Sequence, residues 1–212
     1  MSTTLKAELL PTLQRTTEQL VSEFDNISNA RKKLIGQLTD FISTKSKGGE
    51  AVLLNFICTH NSRRSHIAQI WAQTAAYFYG INSVKTFSGG TEATAFNPRA
   101  VAAMKLAGFD ISVTTEGHNP IYSVRYANDA IPITVFSKKY DDSFNPKSDF
   151  AAIMTCSHAD ENCPLVMGAS ARIALTYDDP KDFDSTPQEA VKYAERVNEI
   201  GREILYAFSQ VK

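Results

Sequence analysis

The 212-residue sequence predicts an α/β domain with a parallel sheet, preceded by an N-terminal helical hairpin. Three observations carry this. From residue 51 onward, short apolar runs alternate with segments of helical periodicity. Several of those runs are nearly continuous in apolar residues, as strands buried on both faces require. The first 47 residues show two helical stripes and no strand pattern, and Lys47-Gly-Gly-Glu50 follows as a linker. The expected division is therefore a hairpin over 1–47 and the main domain over 51–212.

The elements follow in order. Pro11 suits the first turn of a helix whose stripe is Leu13, Leu20, Val21 and Phe24. Asp25 to Ser28 can cap a second helix with Leu34, Ile35, Leu38, Phe41 and Ile42 on one side. Packing on the main domain is the plainer use of these stripes; a homodimer surface or a lid is the sharper one. Val52 to Ile57 is a buried strand, and Ser65 to Tyr79 a helix through Ile67, Ile70, Trp71 and Ala75. Val84 to Phe87 is a second strand, ended by Gly89-Gly90. Asn97-Pro98 opens a helix through Val101, Met104 and Leu106 to Gly108. Residues 118–149 break the βαβ rhythm. There Ile121–Tyr126 and Ile131–Phe136 read as a hairpin beside the sheet, with Pro132 confining the second run to an edge. Ala151–Thr155 and Arg172–Thr176 are two further strands. Thr186-Pro-Gln-Glu189 reads as a capping box that opens a long final helix through Tyr193, Val197, Ile200 and Ile204.

Composition narrows the function. A net charge of −1 gives no basic surface for nucleic acid or an anionic membrane, so any anion site must be local. The stretch Met1-Ser-Thr-Thr-Leu-Lys has no apolar core of signal-peptide length, and no run is long enough to span a bilayer. The chain is expected to be cytoplasmic and to have no membrane or nucleic-acid partner. Three cysteines, Cys58, Cys156 and Cys163, are too few and of the wrong parity for a disulfide framework, which leaves reactive thiols or metal ligands.

The strongest chemical signal is Cys58-Thr59-His60-Asn61-Ser62-Arg63-Arg64-Ser65. A strand ends at the cysteine and a helix begins near Ser62 to Ser65. A loop between them points backbone N–H groups at an anion, and the helix N-terminus adds positive potential. A thiol held there favours its thiolate, the nucleophilic form. Arg64 supplies a planar fork for two oxygens of a tetrahedral oxyanion. Ser65 is placed to donate its hydroxyl to the Cys58 sulfur. His60 and His66 offer a general acid or a thiolate partner, against the plainer reading of a loop position and a helix face.

Two further runs end strands. Cys156-Ser-His158-Ala-Asp-Glu-Asn-Cys163 places two thiols on a polar loop at the carboxyl edge of the sheet, where α/β sites gather. A redox relay is favoured over two unrelated cysteines or a zinc site through His158, which lacks a fourth ligand. Tyr177-Asp178-Asp179-Pro180 places a carboxylate able to protonate a leaving oxygen, against the plainer reading of a solvated Asp-Pro turn.

Together these residues resemble the low-molecular-weight tyrosine phosphatase superfamily, and most closely its thioredoxin-coupled arsenate reductase branch. Cys58-x5-Arg64-Ser65 and Asp179-Pro180 carry the phosphatase likeness, with Ser88-Gly-Gly-Thr-Glu92, Asn97-Pro98 and Gly108-Phe-Asp-Ile-Ser112 beside them. Cys156-x6-Cys163-Pro164 carries the reductase likeness. The resemblance covers roughly residues 51–210 and implies a four-stranded parallel sheet with helices on both faces. It implies Cys58 as nucleophile, Arg64 as oxyanion clamp, Asp179 as general acid, Asn61 as the shaper of the loop and Ser65 as support for the thiolate. Cys156 and Cys163 become relay cysteines, arsenate or phosphate the substrate, thioredoxin the reductant. Hydrolysis of phosphate monoesters through a Cys58 phosphocysteine is the alternative activity. No cofactor is implied. Some members hold a potassium ion with a carboxylate at the position of Gln69; here the neutral side chain leaves Asn61, Gln69 and Ser88 as a weak monovalent-cation alternative to no metal at all. His60, where the branch often has a small residue, the N-terminal hairpin and segment 118–149 depart from the pattern.

Overall fold

The structure is a computed structural model that describes residues 8–162 and 165–212. Cys163 and Pro164 lie outside the described residues. Four parallel strands form the central sheet in the order β2-β1-β6-β7, with β1 at Val52–Cys58, β2 at Val84–Gly90, β6 at Phe150–Met154 and β7 at Ala169–Ala174. A second, antiparallel sheet joins β3 (Asp110–Thr115), β4 (Ile121–Arg125) and β5 (Ile133–Val135) in sequence order. The helices are α1 (Pro11–Ser22), α2 (Asn29–Lys47), α3 (Arg64–Phe78), α4 (Pro98–Leu106), α5 (Ser157–Asn162) and α6 (Glu189–Ser209). No helix among the described residues is long and apolar enough to cross a membrane.

Alternation along β1 assigns the faces of the central sheet. Val52, Leu54 and Phe56 point into the larger core with Trp71 of α3 and Val197, Ile200 and Ile204 of α6. Leu53 and Ile57 point the other way, toward Phe150, Ala152, Met154 and Val166. That second face is covered by α5 and by the segment around Tyr140, whose carbonyl accepts from Asn55 Nδ2 at 3.2 Å. The close approach of α3 and α6 depends on Gly201. A Cβ there would lie 2.6 Å from Trp71 Cε2, well inside van der Waals contact.

The N-terminal helices pack chiefly on α6. Leu13 and Leu20 of α1 and Ile35, Leu38 and Ile42 of α2 are buried in the same cluster as the sheet. Each stabilises the fold by about 1.5–3 kcal/mol on removal from water. Both stripes are thus used on this chain apart from Leu34, which stays exposed. Pro11 is the first residue of α1, and Ser28 caps α2 by accepting from Arg31 N at 3.2 Å.

Several boundaries differ from the sequence expectation. Gly89 and Gly90 are the last two residues of β2, not residues beyond its end. The final strand lies at 169–174 instead of 172–176. The capping box at Thr186 forms differently, because α6 starts at Glu189 with Gln188 before it. Glu189 Oε2 accepts from Ser185 N at 2.6 Å, one residue earlier than a box centred on Thr186 requires. β3 had no clear alternation to announce it: its burial runs exposed except at Ile111. The hairpin expected within 118–149 is present as β4 and β5, with β5 at an edge.

Candidate active site

Parallel pairing brings the site together. Ile57 of β1 sits opposite Met154 of β6, so Cys58 and Cys156 leave neighbouring strands at the same edge. Thr155 N and Oγ1 both donate to Ile57 O, at 2.7 and 2.9 Å, which fixes this edge.

The loop from Cys58 to Arg64 is held by its carbonyls. Cys58 O accepts from Thr91 N at 3.2 Å, and Thr59 O from Glu92 N at 2.8 Å. His60 O accepts from Thr94 Oγ1 at 3.0 Å and Ser137 Oγ at 3.1 Å, and Ser62 O from Asn97 N at 2.9 Å. With its carbonyls turned out to the 91–97 segment, the loop turns amides toward its own centre, the arrangement that binds an anion. Gly90 allows this approach: a Cβ there would lie 2.6 Å from Thr59 O and 2.7 Å from Asn61 N.

Asn61 is the hinge of the loop, at φ 43°. Its Oδ1 accepts from Lys138 N at 2.9 Å, and its Nδ2 donates to Ser65 Oγ at 2.9 Å. That donation fills an acceptor site on Ser65, so the Ser65 hydroxyl proton is free to face Cys58 Sγ, 3.1 Å away. Asn61, Ser65 and Cys58 are all buried.

Arg64 begins α3 and reaches across to the segment after β7. Nη1 donates to Tyr177 O at 2.9 Å and Nη2 to Asp179 Oδ2 at 2.6 Å. Its Nε is buried without a partner among the described residues, a donor available to an incoming oxygen. Asp179 Oδ1 caps the following 3-10 turn by accepting from Lys181 N at 3.1 Å. Arg63 points to the same rim. Its Nε donates to Tyr193 OH at 3.0 Å, and Tyr193 OH donates to Asp184 Oδ1 at 2.8 Å. Sequence reasoning read Tyr193 only as part of an apolar stripe; the amphipathic ring was the available signal. The segment bearing Asp179 is braced from the N-terminus, which the sequence did not reveal. Arg31 of α2 donates to Thr176 O at 3.0 Å while paired with buried Glu203 at 2.8 Å.

The histidines separate. His66 is fully buried on α3, donates through Nε2 to Phe136 O at 3.3 Å and meets Phe96 edge-on at 4.5 Å. Burial, reinforced by the Lys138 charge, pushes its pKa down to about 3, so it is a neutral packing residue at neutral pH. His60 turns its ring outward, 3.6 Å from Glu92. His158 lies beside the loop: its Nδ1 is 3.2 Å from Thr59 Oγ1, which is also 3.5 Å from Cys156 Sγ.

The cation alternative meets a poor donor set. Gln69 Oε1 and Ser88 Oγ are buried and unpartnered, but Asn61 Oδ1 is taken by Lys138 N. Lys138 itself is buried, with Nζ donating to Phe136 O at 3.3 Å, and burial lowers its pKa to about 8. The set thus offers two uncommitted neutral oxygens and no carboxylate. No group of three His, Cys, Asp or Glu side chains able to hold a metal occurs among the described residues.

No protein-family model matches the chain. The arsenate reductase of Halalkalibacterium halodurans is 31% identical over 153 residues, spanning 72% of this chain and 91% of that protein. The arsenate reductase of Bacillus subtilis is 31% identical over 156 residues, 73% of this chain and 94% of that protein. Among solved structures, a low-molecular-weight phosphotyrosine phosphatase from Vibrio cholerae superposes with a TM-score of 0.50 at 12% identity, covering 74% of this chain and 94% of that one. At that identity the likeness speaks for the fold alone, and the fold is that of the low-molecular-weight phosphatases. On the sequence relationship, the chain belongs to the arsenate reductase family.

Proposed function

We propose that this chain reduces arsenate, with Cys58 as nucleophile and Cys156 and Cys163 as the relay. The observation that carries the reading is the convergence of two thiols on one oxyanion loop: Thr59, next to Cys58, touches Cys156 Sγ at 3.5 Å. Hydrolysis would need one thiol there; reduction needs a second to receive the bond.

The steps balance as follows. The Cys58 thiolate attacks arsenic(V), an As–O bond breaks, and the oxygen leaves as water after protonation, for which Asp179 is the nearby carboxyl group. Loop amides and Arg64 neutralise the oxyanion. Cys156 then attacks Cys58 Sγ. The S–S bond forms, and the S–As electron pair stays on arsenic, which departs as arsenite. Cys163 attacks Cys156, Cys58 leaves as thiolate, and the Cys156–Cys163 disulfide is reduced by a dithiol partner, for which thioredoxin is the proposed protein. A homodimer, if formed through α1 and α2, would use their outer faces, where Leu34 is exposed, because Leu13, Leu20, Ile35, Leu38 and Ile42 are buried on this chain.

Cys58, Arg64 and Asp179 also suffice for a phosphocysteine route, so phosphate monoester hydrolysis stands as the second reading. Arsenate turnover with thioredoxin, measured beside turnover of an aryl phosphate, separates the two. Arsenite production that depends on Cys156 supports reduction. Aryl phosphate turnover without arsenite production supports hydrolysis.

A further inference from the structure

A resolving thiol attacks as its thiolate, so the proton on Cys156 needs an acceptor. Cys156 is 1% exposed, which keeps bulk water from its sulfur. Among the described residues, Ala159 N donates to Sγ at 3.4 Å and Thr59 Oγ1 lies at 3.5 Å. An amide N–H only donates. The hydroxyl both donates and accepts, but it carries one proton. Thr59 Oγ1 is also 3.2 Å from His158 Nδ1. When the hydroxyl proton points to Nδ1, the lone pairs of the oxygen face the Cys156 thiol. The three groups then form a continuous chain from a buried sulfur to an imidazole on the exposed side of α5.

We propose that His158 accepts the Cys156 proton through the Thr59 hydroxyl during attack on Cys58. This rests on the reading of Cys156 as the resolving thiol. The S–H proton passes to Thr59 Oγ1, the Thr59 proton passes to His158 Nδ1, and an imidazolium results. The sulfur electron pair forms the bond to Cys58, and the leaving group departs with the pair of the bond it breaks. No further reductant enters this step. His158 is a positioning residue that acts through Thr59: it sets the protonation of the thiol that reacts.

α5 packs on β1 and β6. β1 contributes Cys58 as its titratable residue and β6 contributes none. On α5 itself Asp160 is paired with Arg172 of β7 at 2.6 Å, and Glu161 is exposed. Across the loop, His60 is paired with Glu92 at 3.6 Å.

The test uses the full chain carrying Cys163→Ser, which stops the relay at the Cys58–Cys156 bond. The probe is dithiobis-nitrobenzoate, which loads Cys58 as a mixed disulfide with thionitrobenzoate. Cys156 then displaces that group, and its absorbance reports the rate, with mass spectrometry fixing the bond. In the Cys163→Ser parent the displacement rate is expected to level off within the pH 5–8 interval where imidazoles lose their proton. Adding His158→Gln should slow displacement at least about tenfold near neutral pH. It should also replace the plateau by a steady rise with pH, and Thr59→Val should do the same. An unchanged pH profile in His158→Gln overturns the proposal. So does an equal slowing of Cys58 alkylation by iodoacetamide in that variant, because it would mean a disturbed loop. The probe contains no arsenic. A chain that reduces no arsenate but keeps His158-dependent displacement contradicts the reductase reading alone. A parent showing no displacement contradicts the role of Cys156 and this inference together.

Discussion

Arg64 Nη2 donates to Asp179 Oδ2 at 2.6 Å, so the proposed oxyanion clamp and the proposed general acid hold each other at the mouth of the loop. An entering oxyanion must compete with that carboxylate for the guanidinium, while Arg64 Nη1 stays anchored on Tyr177 O. Asp179→Asn weakens the grip on Arg64 and removes the proposed proton donor. Inhibition by inorganic phosphate should therefore become several-fold tighter, while turnover falls by about 10²–10⁴-fold. Phosphate inhibition measured beside the rate checks both halves. Arg64→Lys should lose anion affinity, since an ammonium cannot present the fork.

The brace from α2 has its own prediction. Arg31 pairs with Glu203, which is 5% exposed, and spans Tyr177 with its guanidinium 4.8 Å from the ring centroid. Arg31→Ala leaves the Glu203 carboxylate buried and uncompensated, so it should cost about 3 kcal/mol or more. Urea unfolding checks this. The double variant Arg31→Met with Glu203→Leu should recover most of the loss, because it removes the stranded charge.

How much of this was legible in the sequence varies with the kind of signal. The Cys58 loop was legible because its chemistry is local: strand end, loop and helix start are contiguous, and Arg64 lies within the same eight residues. The central strands were legible because burial on both faces makes them apolar throughout. Asp179 could be singled out, but its contact with Arg64 comes from strand order and not from spacing. Lys138 and the packing role of Gly90 were not legible. Lys138 N holds Asn61 Oδ1 from 77 residues away, and the clearance needed at Gly90 depends on Thr59 and Asn61 of the loop after β1. β3 was missed because an edge strand with one buried residue carries little alternation.

Gly90 offers a direct test of the loop geometry. Gly90→Ala would place a methyl group against Thr59 O and Asn61 N, both backbone atoms that cannot swing away. The variant should keep its far-ultraviolet circular dichroism but alkylate at Cys58 with altered kinetics and lose phosphate inhibition. Unchanged phosphate inhibition would contradict the close approach of β2 to the loop.

His66 makes a pH prediction. Its folded pKa, pushed by burial to about 3, lies below the ordinary imidazole value near 6.5. Between those values the unfolded chain binds more protons than the folded one, so stability rises with pH. The contribution of neutral His66 is complete above pH 6.5 and is lost as pH falls toward 3, by up to about 1.4 kcal/mol per pH unit. Urea midpoints across this window should fall less steeply with decreasing pH in His66→Gln than in the parent.

The central claim is that the bond made to Cys58 is passed to a second thiol. Its most direct test is a single turnover of Cys163→Ser with arsenate, followed by acid quench and mass spectrometry of the peptides. The account predicts one equivalent of arsenite and a Cys58–Cys156 disulfide, with no second turnover. Continued thioredoxin-dependent turnover by Cys163→Ser and by Cys156→Ser would contradict it and leave Cys58, Arg64 and Asp179 as the machinery of a phosphatase.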